Sequence, residues 1–168
     1  MDNPSKYTAQ YDSPIGPLSI EGSNDGISKI AFVLLRPDPS KFISEDRTPN
    51  RIIEQCVDEL DEYFAGIRTM FSIPLDPQGT AFEQEVWRAL CMIKYGSTCS
   101  YLDIARTINN PKAIRAVGRA NGANPIVIVV PCHRIIGSDG SLTGYAGELW
   151  RKRWLLDHEA RISGTVLL

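Results

Sequence analysis

Apolar positions set two different rhythms along this 168-residue chain. Over the first third they come as short runs of strand length, 7–11, 18–21 and 27–33. The turn-forming stretches Ser13-Pro14-Ile15-Gly16-Pro17 and Ser23-Asn24-Asp25-Gly26 separate them. Asp25-Gly26 suits a hairpin connection. Residues 36–40, with Pro37 and Pro39, read as loop. From 50 to 65 the rhythm changes. Ile52, Ile53, Cys56, Leu60, Tyr63 and Phe64 recur at helical spacing, and Gly66 stops the helix. Residues 70–79, with Pro74, Pro77 and Gly79, read as a linker.

The second half is helical for most of its length. Thr80 and Glu83 form a capping box ahead of an apolar stripe of Phe82, Val86, Leu90 and Ile93. Ser100 can cap a short helix holding Leu102, Ile104, Ala105 and Ile108, which Asn109-Asn110-Pro111 breaks. A second helix is predicted over 112–121, closed by Gly122. The pair is a helix-turn-helix pattern. Its second helix is slim, with Ala113, Ala116, Gly118 and Ala120, and carries Arg115 and Arg119. Such a surface can approach a duplex groove closely, or pack tightly in a core. Residues 126–130 are five β-formers running into Pro131, and predict a strand that ends at Cys132. A glycine-rich loop over 137–147 follows, then a helix over 149–159. In that helix Leu149, Trp154, Leu155 and Leu156 face inward and Arg151, Lys152 and Arg153 cluster. Strands first and helices later predict two domains: an α/β unit over 1–79 and a mostly helical unit over 80–168.

Composition narrows the class. The hydrophobic share of 43% is enough to build a core. No apolar run is long enough for a membrane span, and residues 1–10 are polar and lack the core of a signal peptide. The four cysteines form no CxxC pair, and neither histidine lies near Cys56, Cys91 or Cys99, so a zinc site is not expected. Free thiols suit a reducing compartment, so the expected location is the cytoplasm, or the nucleus in a eukaryote. The net charge of −2 hides a split: residues 1–79 sum to −6 and 80–168 to +4. Between 104 and 138 lie Arg106, Lys112, Arg115, Arg119 and Arg134 with no acid, the footprint of a phosphate-backbone partner or, more commonly, of a solvated helix face.

The candidate chemistry lies at Pro131-Cys132-His133-Arg134. A thiol is a strong nucleophile only as thiolate, and basic neighbours favour that form. Cys56, Cys91 and Cys99 lack such neighbours and read as small buried hydrophobes. A cysteine hydrolase is one reading of Cys132 and His133, although nothing in the sequence supplies an oxyanion hole.

The motifs resemble a known family, the O6-alkylguanine-DNA alkyltransferases. Asn124-Pro125-Ile126 through Pro131-Cys132-His133-Arg134-Ile135-Ile136 is similar to the family's NP…PCHRV signature. Tyr95-Gly96, Ser100-Tyr101 and Arg115-Ala116-Val117-Gly118 resemble its helix-turn-helix, and Gly144-Tyr145-Ala146-Gly147, Lys152 and His158-Glu159 its downstream motifs. Ser13-Pro14-Ile15-Gly16-Pro17-Leu18 resembles the start of many members. The resemblance implies an N-terminal α/β domain with a ribonuclease-H-like antiparallel sheet, then a mostly α C-terminal domain with a helix-turn-helix.

It also implies a function: repair of double-stranded DNA carrying O6-alkylguanine, O4-alkylthymine being left open. The helix-turn-helix enters the minor groove, the damaged base is flipped out, and its alkyl group passes irreversibly to Cys132, one event per molecule. By resemblance, His133 relays the thiol proton through a water, Glu159 orients His133, and Asn124 ties Cys132 to the helix-turn-helix. Tyr101 and Lys152 complete the catalytic set. Arg115 fills the gap left by the base, with Ala113, Ala116, Gly118 and Arg119 against DNA. Tyr145, Ala146, Gly147 and Ile135 line the substrate pocket. No cofactor, metal or membrane is implied. The expected state is a monomer, with cooperative coating of DNA left open. One departure is Glu148, where many members carry glycine; a carboxylate there is expected to narrow the pocket or repel phosphate, with weaker tolerance of bulky alkyl groups. The rival within the same fold is a lesion sensor without transfer, whose members replace the cysteine that is present here.

Overall fold

The computed structural model describes residues 6–34 and 50–165. The loop expected over 36–40 lies outside the described residues. The chain divides into two compact units, Met1–Asp76 and Pro77–Leu168.

In the first unit, β1 (Tyr7–Ser13), β2 (Gly16–Gly22) and β3 (Ile27–Phe32) form an antiparallel sheet in sequence order. Tyr11 pairs with Leu18 and Ile20 with Ile30. The alternation puts Leu18, Ile20, Ile27 and Ile30 wholly out of water. That face is covered by α1 (Arg51–Phe64), which contributes Ile53, Cys56, Leu60 and Tyr63. Asn50 caps α1 by accepting from the amides of Ile52 and Ile53. The Tyr11 hydroxyl donates to Asp61 Oδ1 across 2.8 Å, tying strand to helix. Glu59, buried on α1, accepts from the Ser72 amide at 2.8 Å and so fixes the segment after the helix. That segment returns to the sheet: Ile27 N donates to Pro74 O and Asp76 N to Ile27 O.

The second unit is mostly helical. Its elements are α2 (Ala81–Cys91), β4 (Cys99–Ser100), α3 (Tyr101–Thr107), α4 (Ile114–Gly122), a 3₁₀ turn (Cys132–Arg134), β5 (Ile135–Ile136) and α5 (Leu149–Ser163). The Thr80–Glu83 capping box is present, and a second one, Ser100–Asp103, opens α3. Trp87 is buried, and its indole N–H donates to Ala120 O at 2.8 Å, locking α2 to the C-terminal end of α4. α4 starts two residues later than expected, because Pro111 belongs to the turn in which Ala113 N bonds Asn110 O.

Three sequence expectations need correction. Residues 126–130 are not a strand. They are a buried turn in which Val130 N bonds Ile126 O at 3.0 Å and Ile128 takes φ +72°. Their apolar character reports burial alone, and burial does not distinguish a strand from a turn. In α5, Leu155 and Leu156 are buried as expected, but Leu149 is 47% exposed and Arg151 and Lys152 are buried. The two cations find carbonyl partners inside, which offsets their loss of water. Cys91 is exposed, Cys99 half-buried and only Cys56 of those three fully buried. Among the described residues, no helix is long and apolar enough to cross a membrane.

Candidate active site

Cys132 opens the 3₁₀ turn and is 4% exposed. Asn124 holds it. The Asn124 side chain donates from Nδ2 to Val130 O at 2.8 Å and lies 3.0 Å from Cys132 Sγ, while its Oδ1 accepts from Ile126 N at 3.0 Å. One amide therefore closes the apolar turn from within and meets the sulfur at its end. Asn124 sits two residues past the end of α4, so the thiol is mounted directly on the helix-turn-helix.

Burial pushes the Cys132 thiol up to about 11, and the Asn124 bond and the Lys152 cation only partly oppose it. The resting group is a neutral thiol, contrary to the expectation that its basic neighbours would favour thiolate. Arg134 does not act on the sulfur, because its guanidinium is committed to Glu159. Its Nε donates to Oε2 at 2.8 Å and its Nη2 to Oε1 at 3.0 Å, while Nη1 donates to Ile93 O at 2.7 Å.

Glu159, on α5, is the hub of this side. It is 1% exposed and also accepts from Gly96 N at 3.1 Å and meets His133 Nε2 at 2.7 Å. The contacts with His133 and Arg134 overcome burial and hold its carboxyl well below the ordinary 4.5. An ionised carboxylate only accepts, so Nε2 of His133 carries the proton. Burial in turn lowers the His133 pKa, keeping the ring neutral. A neutral ring protonated at Nε2 has a bare lone pair on Nδ1, and Nδ1 is buried with no hydrogen-bond partner among the described residues. The site therefore holds a neutral thiol beside an imidazole whose basic nitrogen is unspent. Gly96 is required here on two counts. Its φ is +72°, and a Cβ would lie 2.1 Å from Ser163 Oγ.

A second cluster faces the glycine-rich loop. Lys152, fully buried, donates from Nζ to Thr143 O at 2.7 Å, and burial lowers its pKa to about 8. The Thr143 hydroxyl bonds the Tyr101 hydroxyl at 2.9 Å. The Tyr145 hydroxyl oxygen is buried, and burial and Cys132 both drive its pKa up. Ile135 and Gly147 are buried and Ala146 is exposed. Glu148 adopts φ +73° and ψ 149° without being glycine. Its carboxylate accepts from Trp150 Nε1 at 2.8 Å and Arg151 Nη1 at 3.1 Å, so it is turned onto the first turn of α5.

On α4, Arg115 and Arg119 are exposed, while Ala116 and Gly118, with Ala113 at its N-cap, are half-buried. Lys112 and Ile114 are exposed beside them. The structure thus joins Cys132, Asn124, His133, Glu159 and Lys152 in one buried cluster and presents the α4 arginines to solvent. Sequence reasoning placed Arg134 beside the thiol and did not single out Thr143. The carbonyl that Thr143 offers to Lys152 leaves no mark in a sequence. Among the described residues, no group of three or more His, Cys, Asp or Glu side chains could hold a metal ion.

Known proteins bear directly on this arrangement. Residues 6–77 match the family described as 6-O-methylguanine DNA methyltransferase, ribonuclease-like domain, and residues 81–161 match the corresponding DNA binding domain. A methylated-DNA–protein-cysteine methyltransferase of Mycobacterium tuberculosis is 48% identical over 149 residues, 88% of each chain. One from Methanosarcina acetivorans is 42% identical over 156 residues, 91% of this chain and 97% of the relative. The crystal structure of Mycobacterium tuberculosis O6-methylguanine methyltransferase superposes with a TM-score of 0.81 at 46% identity, covering 94% of both chains. The structure of Mycobacterium tuberculosis OGT in complex with DNA gives a TM-score of 0.80 at 46% identity, covering 92% of this chain and 93% of that one.

Proposed function

The chain belongs to the 6-O-methylguanine DNA methyltransferase family, and we propose that it removes the alkyl group from O6-alkylguanine in duplex DNA by irreversible transfer to Cys132. The observation that carries this reading is the pairing of a buried thiol with His133, whose Nε2 is fixed by Glu159 at 2.7 Å and whose Nδ1 is left basic. A thiol at about 11 needs a base at the moment of reaction.

The steps follow from that chemistry. O6 of a stacked guanine is out of reach of any side chain, so the nucleotide turns out of the duplex into the protein. α4 lies in the minor groove, its half-buried Ala113, Ala116 and Gly118 allowing close approach, and Arg115 takes the space the base leaves. Arg119 contributes charge toward the backbone. The Cys132 proton passes through a water to His133 Nδ1, and Glu159 stabilises the imidazolium. Sulfur attacks the alkyl carbon, the S–C bond forms and the O6–C bond breaks. The guanine leaves with its electron pair and is protonated in turn. Tyr101 and the backbone near Tyr145, Ala146 and Gly147 hydrogen-bond the departing base, Ile135 closes the pocket, and Lys152 lends positive charge. A thioether does not hydrolyse, so each molecule acts once. We assign this chemistry to the domain over 80–168, with 1–79 in support.

The test is intact mass after incubation with duplex DNA carrying O6-methylguanine, beside a Cys132→Ser control. A stoichiometric gain of about 14 Da, absent from the control, is the expected thioether product. Binding without any gain would make the protein a lesion sensor.

A further inference from the structure

Residues 141–145 of the pocket loop form no helix or strand, yet one residue there makes two bonds to other elements. Thr143 gives its carbonyl to Lys152 Nζ on α5 at 2.7 Å and its hydroxyl to the Tyr101 hydroxyl, at the first position of α3, at 2.9 Å. The Tyr101 ring in turn stands 3.8 Å from the position a Cβ on Gly118 of α4 would take. Thr143 is thus the point where the loop, the buried lysine and the tyrosine against the slim helix are joined. It is itself exposed, so burial is not what holds it there.

Hydroxyl bookkeeping gives the bond a direction. Tyr101 and Thr143 each carry one hydroxyl proton and can accept through oxygen. Either can donate in the free protein. Once Tyr101 donates to a base in the pocket, its own proton is spent, and the 2.9 Å bond survives only if Thr143 donates to the Tyr101 oxygen. Two hydroxyls donating in series polarise one another, so the terminal donor is strengthened.

We propose that Thr143 is a positioning residue for alkyl transfer: its hydroxyl donates to the Tyr101 oxygen, fixing that hydroxyl and strengthening it as a donor to the departing guanine. The inference rests on the transfer reading above. Thr143 touches neither the base nor the sulfur in this scheme; it acts through Tyr101.

Single-turnover methyl transfer from an O6-methylguanine duplex, with protein in excess, tests it. Thr143→Val keeps the shape and removes the hydroxyl. The saturated rate should fall about five- to ten-fold, the worth of one hydrogen bond felt in the transition state, with duplex affinity unchanged. Thr143→Ser should restore the rate. In a Tyr101→Phe background, Thr143→Val should slow transfer no further. An equal loss in that background, or no rescue by serine, would make Thr143 a mere loop residue and overturn the inference. A methylated wild type with an unaffected Thr143→Val variant overturns it alone. A wild type that never gains mass overturns the transfer reading and this inference with it.

Discussion

Glu148 and Glu159 each carry a prediction. Glu148 sits at φ +73° and ψ 149°, a region that side chains avoid at a cost of about 1–3 kcal/mol. Its carboxylate gains from Trp150 and Arg151 in exchange. Glu148 is the N-cap of α5, a position where glycine is already preferred to alanine, and its positive φ widens that preference. Glu148→Gly should therefore unfold at higher denaturant than Glu148→Ala, by about 1–3 kcal/mol. Both variants lack the carboxylate, so their difference isolates the backbone. Glu159 is the second. Its pKa is depressed, so the stability it contributes is fully present above its ordinary 4.5 and drains as pH falls below that toward the folded value. His133, lowered by burial from 6.5, adds a loss that begins as pH falls through 6.5. Glu159→Gln leaves the buried Arg134 guanidinium without its countercharge, which should cost about 3–5 kcal/mol at pH 7. Urea unfolding from pH 7 to 3 should show the gap between the two proteins narrowing below pH 4.5, because the unfolded wild-type carboxylate takes up a proton there while the folded one stays ionised; a constant gap would refute the assignment.

At the scale of elements, periodicity was legible wherever it reflected one repeating contact. The three strands, α1 and the capped start of α2 followed directly, because alternation and 3.6-residue spacing each bury one face. Residues 126–130 misled because β-branched residues packed into a turn and into a strand look alike, and the decisive group, the Asn124 amide, lies outside the run. Part of the inner face of α5 was hidden for a related reason. Arg151 and Lys152 turn inward to meet the carbonyls of Gly147 and Thr143, and a backbone acceptor carries no sequence signature. The reactive constellation was readable as residue types, but not its division of labour: Arg134 serves Glu159 rather than the thiol. The α4 surface carries its own prediction. Arg119→Ala should weaken duplex binding regardless of damage and reduce the slope of log affinity against log salt by about one. Arg115→Ala should slow transfer more than it weakens binding, since its role begins once the base has left the stack. Equal effects of the two substitutions on rate and affinity would reduce α4 to a charged surface.

The C-terminal unit encloses the sulfur that is proposed to take the alkyl group. Cys132 is 4% exposed, and His133 and Lys152 beside it are fully buried. The Asn124 amide, 3.0 Å from Sγ, also closes the 126–130 turn and follows α4 by two residues. A methyl on so buried a sulfur crowds its neighbours, and the Asn124 amide, 3.0 Å from Sγ, is one of them. Displacing it loosens the turn and loads the end of α4 together, because one side chain holds both. Overfilling a packed site costs about 1–3 kcal/mol. For a domain of this size, that is a fall in melting temperature of roughly 5–15 °C. Calorimetry on the protein before and after stoichiometric methylation should show the drop. Cys132→Ala, which removes bulk instead of adding it, should leave α4 and the turn undisturbed by hydrogen exchange. A methylated protein with unchanged stability would mean that the pocket already holds space for the product, and that the Asn124 contact is not what the methyl meets. A product destabilised in this way would open at α4, the surface proposed to meet DNA, so the same displacement would also weaken the grip on the repaired duplex.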